Sequence, residues 1–185
     1  MGTLSTGTTT TDTTPTDTTT TDTSGPHHNG LPAYVSPNAH PAVVGHDRQG
    51  HALYDMTGHQ PPATRPTGDL DGWIGDAKSV LQAQGVDTSS MSDADLRALI
   101  QHESSGNPHA LNNWDVNAAH GTPSKGLMQT IDPTFDQYAV PGHTDIWNPV
   151  DNIVAGVRYG IDRYGSFSRI PGVASLHRGG SYVGY

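Results

Sequence analysis

Beyond residue 70 the apolar side chains recur every three to four positions, and before it they show no such order. This break in pattern constrains the fold more than any other feature. A 3.6-residue period builds helices with one buried stripe, so a core can form only in the later part of the chain. Trp73, Ile74, Ala77, Val80 and Leu81 form a first stripe, and Gly85 stands where a C-terminal cap belongs. Ser92 is a candidate N-cap for a second helix. Asp93 and Asp95 fall in its first turn, and Leu96, Leu99 and Ile100 are its apolar face. That helix should end between Ser104 and Gly106, just before Asn107-Pro108. Asp132-Pro133 and Asn148-Pro149 each read as an N-cap followed by proline at the first helical position. The former opens a helix through Phe135 and Tyr138. The latter opens a long one marked by Val150, Ile153, Val154, Val157, Ile161 and Tyr164, stopping at Gly165. Residues 107–125 read as loop, 126–129 as a short turn and 166–185 as a Gly-rich tail, with no alternating strand pattern past residue 70. The expectation is a mostly α domain over residues 71–185.

The first 70 residues divide in two. Residues 3–23 hold 14 threonines with no apolar pattern, so burial cannot offset the entropy cost of ordering them. Residues 1–25 are therefore expected to be a disordered tail, with a glycosylated or wall-spanning stalk as the functional alternative. Residues 26–70 are a Pro/His/Gly-rich linker. Within it, His46-Asp47-Arg48-Gln49-Gly50 between Val43-Val44 and Ala52-Leu53-Tyr54 has the makings of a hairpin. Six of the eleven histidines lie here: His27, His28, His40, His46, His51 and His59. Their irregular spacing and the lack of recurring acids favour solvated side chains over a metal site.

Several function classes drop out on composition. The net charge of −9 disfavours nucleic acid, which needs a basic face. With no cysteine, disulfides, thiolate metal sites and a Cys nucleophile are excluded. No apolar run is long enough to span a membrane, and no signal peptide is recognisable, so export would need another route. No metal or organic cofactor is implied.

Glu103 is the residue out of place. It lies seven positions after Leu96, four after Leu99 and three after Ile100, on the face of the apolar stripe. There a carboxyl loses solvation, its pKa rises, and a proton stays available near neutral pH for general-acid chemistry. The plainer alternative is a fraying helix end that points to water.

Glu103-Ser104-Ser105-Gly106-Asn107-Pro108 is followed, some twenty residues on, by Gly126-Leu127-Met128-Gln129-Thr130. This ordered pair resembles the soluble lytic transglycosylase domain, a relative of goose-type lysozyme. Trp114-Asp115-Val116-Asn117-Ala118 and Gly121-Thr122-Pro123-Ser124-Lys125 resemble the branch found in actinobacterial cell-wall and phage-tail proteins. Asn148-Pro149 and Asp151-Asn152-Ile153 fit the family's third helix, and the resemblance spans roughly residues 92–165.

The resemblance implies a lysozyme-like helical fold and an enzyme working, as a monomer, on the peptidoglycan glycan strand outside the cytoplasm, at the cell wall or on a phage particle. Glu103 matches the catalytic acid. It would protonate the bond between N-acetylmuramic acid and N-acetylglucosamine, then take the proton of the C6 hydroxyl that closes a 1,6-anhydro ring. Ser104 would bond substrate or Glu103, or only cap the helix. Met128 would pack beneath an apolar groove, and Gln129 would donate to a sugar. Asp115 either faces Glu103 across a water, as in an inverting lysozyme, or bonds loop amides. Trp114 either stacks on a sugar or belongs to the core. The family's Ala-Tyr-Asn-Ala-Gly segment, whose Tyr helps the acid, is missing. Gly179-Gly180-Ser181-Tyr182 stands in that part of the chain, and Tyr159 on the third helix is the substitute considered. A hydrolytic muramidase and a non-catalytic wall-binding module are the competing readings of the same fold.

Overall fold

Asp69 opens the first helix by accepting the Gly72 amide at 2.9 Å, and α1 (Leu70–Ala83) then buries Ile74, Ala77 and Leu81. The computed structural model describes residues 43–54 and 57–184. The Thr-rich tail and residues 26–42, 55 and 56 of the linker lie outside them. Ser92 caps α2 (Asp93–Ser104) through the Asp95 amide, and the helix ends at Ser105 in the left-handed region. Leu96, Leu99 and Ile100 are fully buried, so this helix runs as the stripe predicts.

The expected loop over 107–125 holds more structure than its polarity indicates. A two-residue strand, β3 (Leu111–Asn112), pairs antiparallel with β4 (Ser124–Lys125), and α3 (Val116–Ala119) lies between them. Two-residue strands carry too little alternation to be seen in sequence. Next, α4 (Asp132–Tyr138) starts one residue earlier than expected. Ile131 is its N-cap without a side-chain bond, so Asp132 is inside the helix. Asn148 does cap α5 (Pro149–Tyr164), accepting from the Val150 amide at 2.9 Å, and Gly165 closes it in the left-handed region. The Gly-rich tail is corrected too. It contains a 3-10 turn (Phe167–Arg169) and α6 (Pro171–His177) before an exposed strap over residues 178–184.

The core is built around α5. It packs against α1 and α4 and is buried nearly all round, with Ile153, Val154, Ala155 and Val157 fully covered. Its polar residues are held inside: Arg158 donates to the carbonyls of Tyr138 and Ala139, and Tyr138 donates to Asp162 at 2.5 Å. On the other side α1 packs on α2 and α2 on α6, where His177 Nε2 meets Asp95 Oδ1 at 2.8 Å.

Before the helices, β1 (Val43–His46) and β2 (Ala52–Tyr54) form the expected hairpin. Asp47 Oδ1 accepts from the amides of Gln49 and His51 at 2.8 and 2.9 Å, closing the turn. His59 departs from the solvated histidines expected of this stretch. It is 7% exposed, and its Nδ1 lies 3.1 Å from Asp132 Oδ2. Asp132 also holds the buried Lys125 at 2.7 and 2.8 Å. An ammonium taken out of water needs such a partner, and the ionic centre that supplies it draws in a residue from the preceding segment. No helix among the described residues is long and apolar enough to cross a membrane.

Candidate active site

A cleft of about 360 Å³ opens between the end of α2 and the segment leading into α4. Glu103, Asn112, Asp115, Asn117, Ser124, Met128, Gln129, Thr130, Ile131, Thr134 and Tyr159 line it. Most of these carry amide, hydroxyl or carboxyl groups, so the groove is largely polar and not the apolar one expected. Such a lining suits a ligand dense in hydroxyl and acetamido groups.

Glu103 is half-buried on the last turn of α2, which settles the sequence alternatives in favour of the covered acid. Burial pushes its carboxyl pKa up. A hydrogen bond from Tyr182 and the nearby His102 imidazole oppose the shift without cancelling it. Tyr182 Oη donates to Glu103 Oε1. Burial and the adjoining carboxyl push the Tyr182 phenol well above its usual range, so it remains a proton donor to Glu103.

Tyr182 is the residue that sequence reasoning missed. Tyr159 lines the same cleft and packs edge-on against Tyr138 at 5.6 Å, but the tyrosine brought onto Glu103 comes from the strap. A tyrosine two residues past the Gly179-Gly180 stop of a proline-initiated helix was the available signal. Reading 166–185 as a Gly-rich tail without a helix hid it.

The floor is the segment 124–130. Met128 is 2% exposed and lies beneath the cleft, the place expected for it. Its amide donates to Asn152 Oδ1 at 2.7 Å, while Asn152 Nδ2 reaches the Lys125 and Ile146 carbonyls and Thr130 Oγ1 at 3.0–3.2 Å. Asn152, fully buried on α5, thus ties the floor to the core helix. Gly126 passes so close to Asn152, at φ +73°, that any Cβ would strike its amide. Gln129 sits at φ +49°, uncommon for a non-glycine residue. Its Nε2 donates to the Gly126 carbonyl at 2.9 Å and lies 3.4 Å from that of Ala110. The donor expected for a sugar is therefore engaged with the backbone, and Oε1 is the atom left for a ligand.

The remaining candidates separate. Ser104 Oγ donates to the Ile100 carbonyl at 3.1 Å, one turn back in its own helix, and the C-cap is Ser105, so its hydroxyl bonds neither Glu103 nor the helix end. Asp115 lines the cleft, yet Oδ1 accepts from the Ala118 amide at 2.9 Å and Oδ2 from Asn112 at 3.0 Å. It is the N-cap of α3. Trp114 is 78% exposed, outside both core and cleft lining, between the lining residues Asn112 and Asp115. Among the described residues no three His, Cys, Asp or Glu side chains are grouped as a metal ion would require.

Residues 82–182, more than half of the chain, match the family described as the Transglycosylase SLT domain. The Uncharacterized protein YqbO of Bacillus subtilis (strain 168) is 51% identical over 90 residues, which are 49% of this chain and 6% of that protein. The chain thus spans only a small part of that relative's length. No solved structure matches it.

Proposed function

The chain belongs to the transglycosylase SLT family, whose members are lytic transglycosylases acting on peptidoglycan, and we propose that it cleaves the glycan strand with Glu103 as its acid and base. The observation that carries this reading is the pairing of a half-buried Glu103 with Tyr182 at the edge of a polar cleft. Tyr182 donates to Oε1, so Oε2 is the oxygen that carries the catalytic proton. That proton passes to the glycosidic oxygen as the bond from C1 of N-acetylmuramic acid breaks. The carboxylate then takes the proton of the C6 hydroxyl as its oxygen bonds C1, giving a 1,6-anhydro end and restoring the acid. No water is consumed and no second carboxylate is needed. Peptidoglycan places the action outside the cytoplasm.

Asp115 is the observation bearing on the hydrolytic alternative. An inverting muramidase needs a carboxylate free to activate water. Both oxygens of Asp115 are occupied by its own loop, which supports the anhydro-forming reaction. Mass spectrometry of fragments from purified peptidoglycan tests the reading. Anhydro-ended products, lighter by one water than hydrolysis products, are expected. Glu103→Gln should lower release by roughly 10²–10⁴-fold. Reducing ends would instead assign a muramidase, and binding without turnover a wall-binding module.

A further inference from the structure

Tyr182 rides on an exposed segment that includes Gly179, Gly180 and Gly184. Four bonds tie that strap to α6: the Arg178 and Gly180 amides donate to the Ser175 carbonyl at 3.1 and 3.0 Å, the Gly179 amide donates to the Leu176 carbonyl at 2.9 Å, and Ser175 Oγ donates to the Ser181 carbonyl at 2.6 Å. None touches the ring, so the backbone alone leaves the phenol its side-chain torsions. The ring finds its limits elsewhere. On the α6 side it lies so close to Gly172 that a methyl group there would overlap it. The His102 imidazole stacks on it at 4.2 Å between centroids, with the two planes 5° apart. His102 immediately precedes Glu103 on α2, so the platform and the acid belong to the same turn of one helix.

We propose that His102 is a positioning residue for the reaction: its imidazole, stacked face to face on Tyr182, keeps the phenol hydroxyl on the Glu103 carboxyl. The proposal rests on the reading of Glu103 as the catalytic acid. Near-parallel planes are the geometry of ring stacking, and a flat ring is what the position requires. His102 is itself exposed, so its removal leaves the core packing untouched. A charge acting on Glu103 through space is the rival account, and it makes the opposite demand of substitutions.

The test measures kcat and KM on soluble uncrosslinked glycan strands for the full chain. His102→Ala should lower kcat roughly three- to tenfold with KM little changed, and His102→Phe, which keeps a ring without a charge, should restore most of the loss. His102→Lys, a charge without a ring, should behave like the alanine variant. In a Tyr182→Phe background His102→Ala should add almost nothing, because the hydroxyl it positions is gone. An undiminished kcat in His102→Ala overturns the proposal. So does rescue by Lys in place of Phe, or a full further loss in the Tyr182→Phe background. Wild type and Glu103→Gln run alongside. An inactive wild type, or a Glu103→Gln variant as active as wild type, refutes the underlying reading. The expected behaviour of both, with His102→Ala unaffected, refutes the His102 proposal alone.

Discussion

The cleft floor at residues 124–130 and the strap at residues 178–184 both lie against Glu103 or its cleft, yet they are secured in different ways. The floor is stitched from within: a fully buried asparagine on the central helix satisfies the Met128 amide and reaches two carbonyls and a threonine hydroxyl. The strap lies on the surface and holds its tyrosine by bonds to the end of α6, a stacked ring and the carboxyl. Buried bonds have no water to replace them, whereas exposed ones do. The floor should therefore behave as part of the folding unit, and the strap as an adjustable wall whose loss costs rate more than stability.

The sharpest way to break this contrast is Asn152→Ala. It leaves buried polar groups of the floor without partners and should cost about 3 kcal/mol in urea unfolding, with activity falling alongside. If stability barely changed, the floor would be no firmer than the strap. His59→Ala extends the question to the preceding segment. A loss of about 1–2 kcal/mol is expected as Asp132 and buried Lys125 lose a neighbour, which would carry the folding unit back to at least residue 59. Removal of residues 1–66, which keeps the Asp69 cap, should reproduce that loss.

On the strap, Tyr182→Phe keeps the ring and removes the hydroxyl. Roughly a tenfold drop in kcat is expected, with the unfolding midpoint within about 0.5 kcal/mol of wild type. A large stability loss would make the strap a structural element after all. The smallest expected effect concerns pH. Burial raises the Glu103 pKa above its unfolded value, so the folded state binds the extra proton. Stability from this group is then greatest below the unfolded value and declines as pH rises through the folded one. Glu103→Gln should thus raise Tm by roughly 1–3 °C at neutral pH and by nothing near pH 4. Activity of the wild type should fall over the same rise in pH as the acid loses its proton.

The helices with strong caps and stripes were legible in the chain itself. Ser92 and Asn148 both form the cap bonds expected of them, and the spacing from Leu96 to Ile100 places Glu103 where the structure has it. The short elements were not. β3, α3 and β4 are too brief to develop a period, and Asp132 was misplaced by one residue because proline is tolerated anywhere in the first turn. Gln129 lines the cleft, and its bonding was not legible, since its partners include a carbonyl nineteen residues away.

By itself the sequence determined which stretch could build a core, where the long helices begin and end, and that Glu103 shares a face with the apolar stripe. Those properties depend on residues within a few turns of one another. Only the tertiary structure decided that Tyr182 meets Glu103 across 79 positions, that Asn152 reaches the floor from 24 positions away, and that His59 is covered. Such pairings are set by how helices pack, and packing joins residues that no local pattern relates.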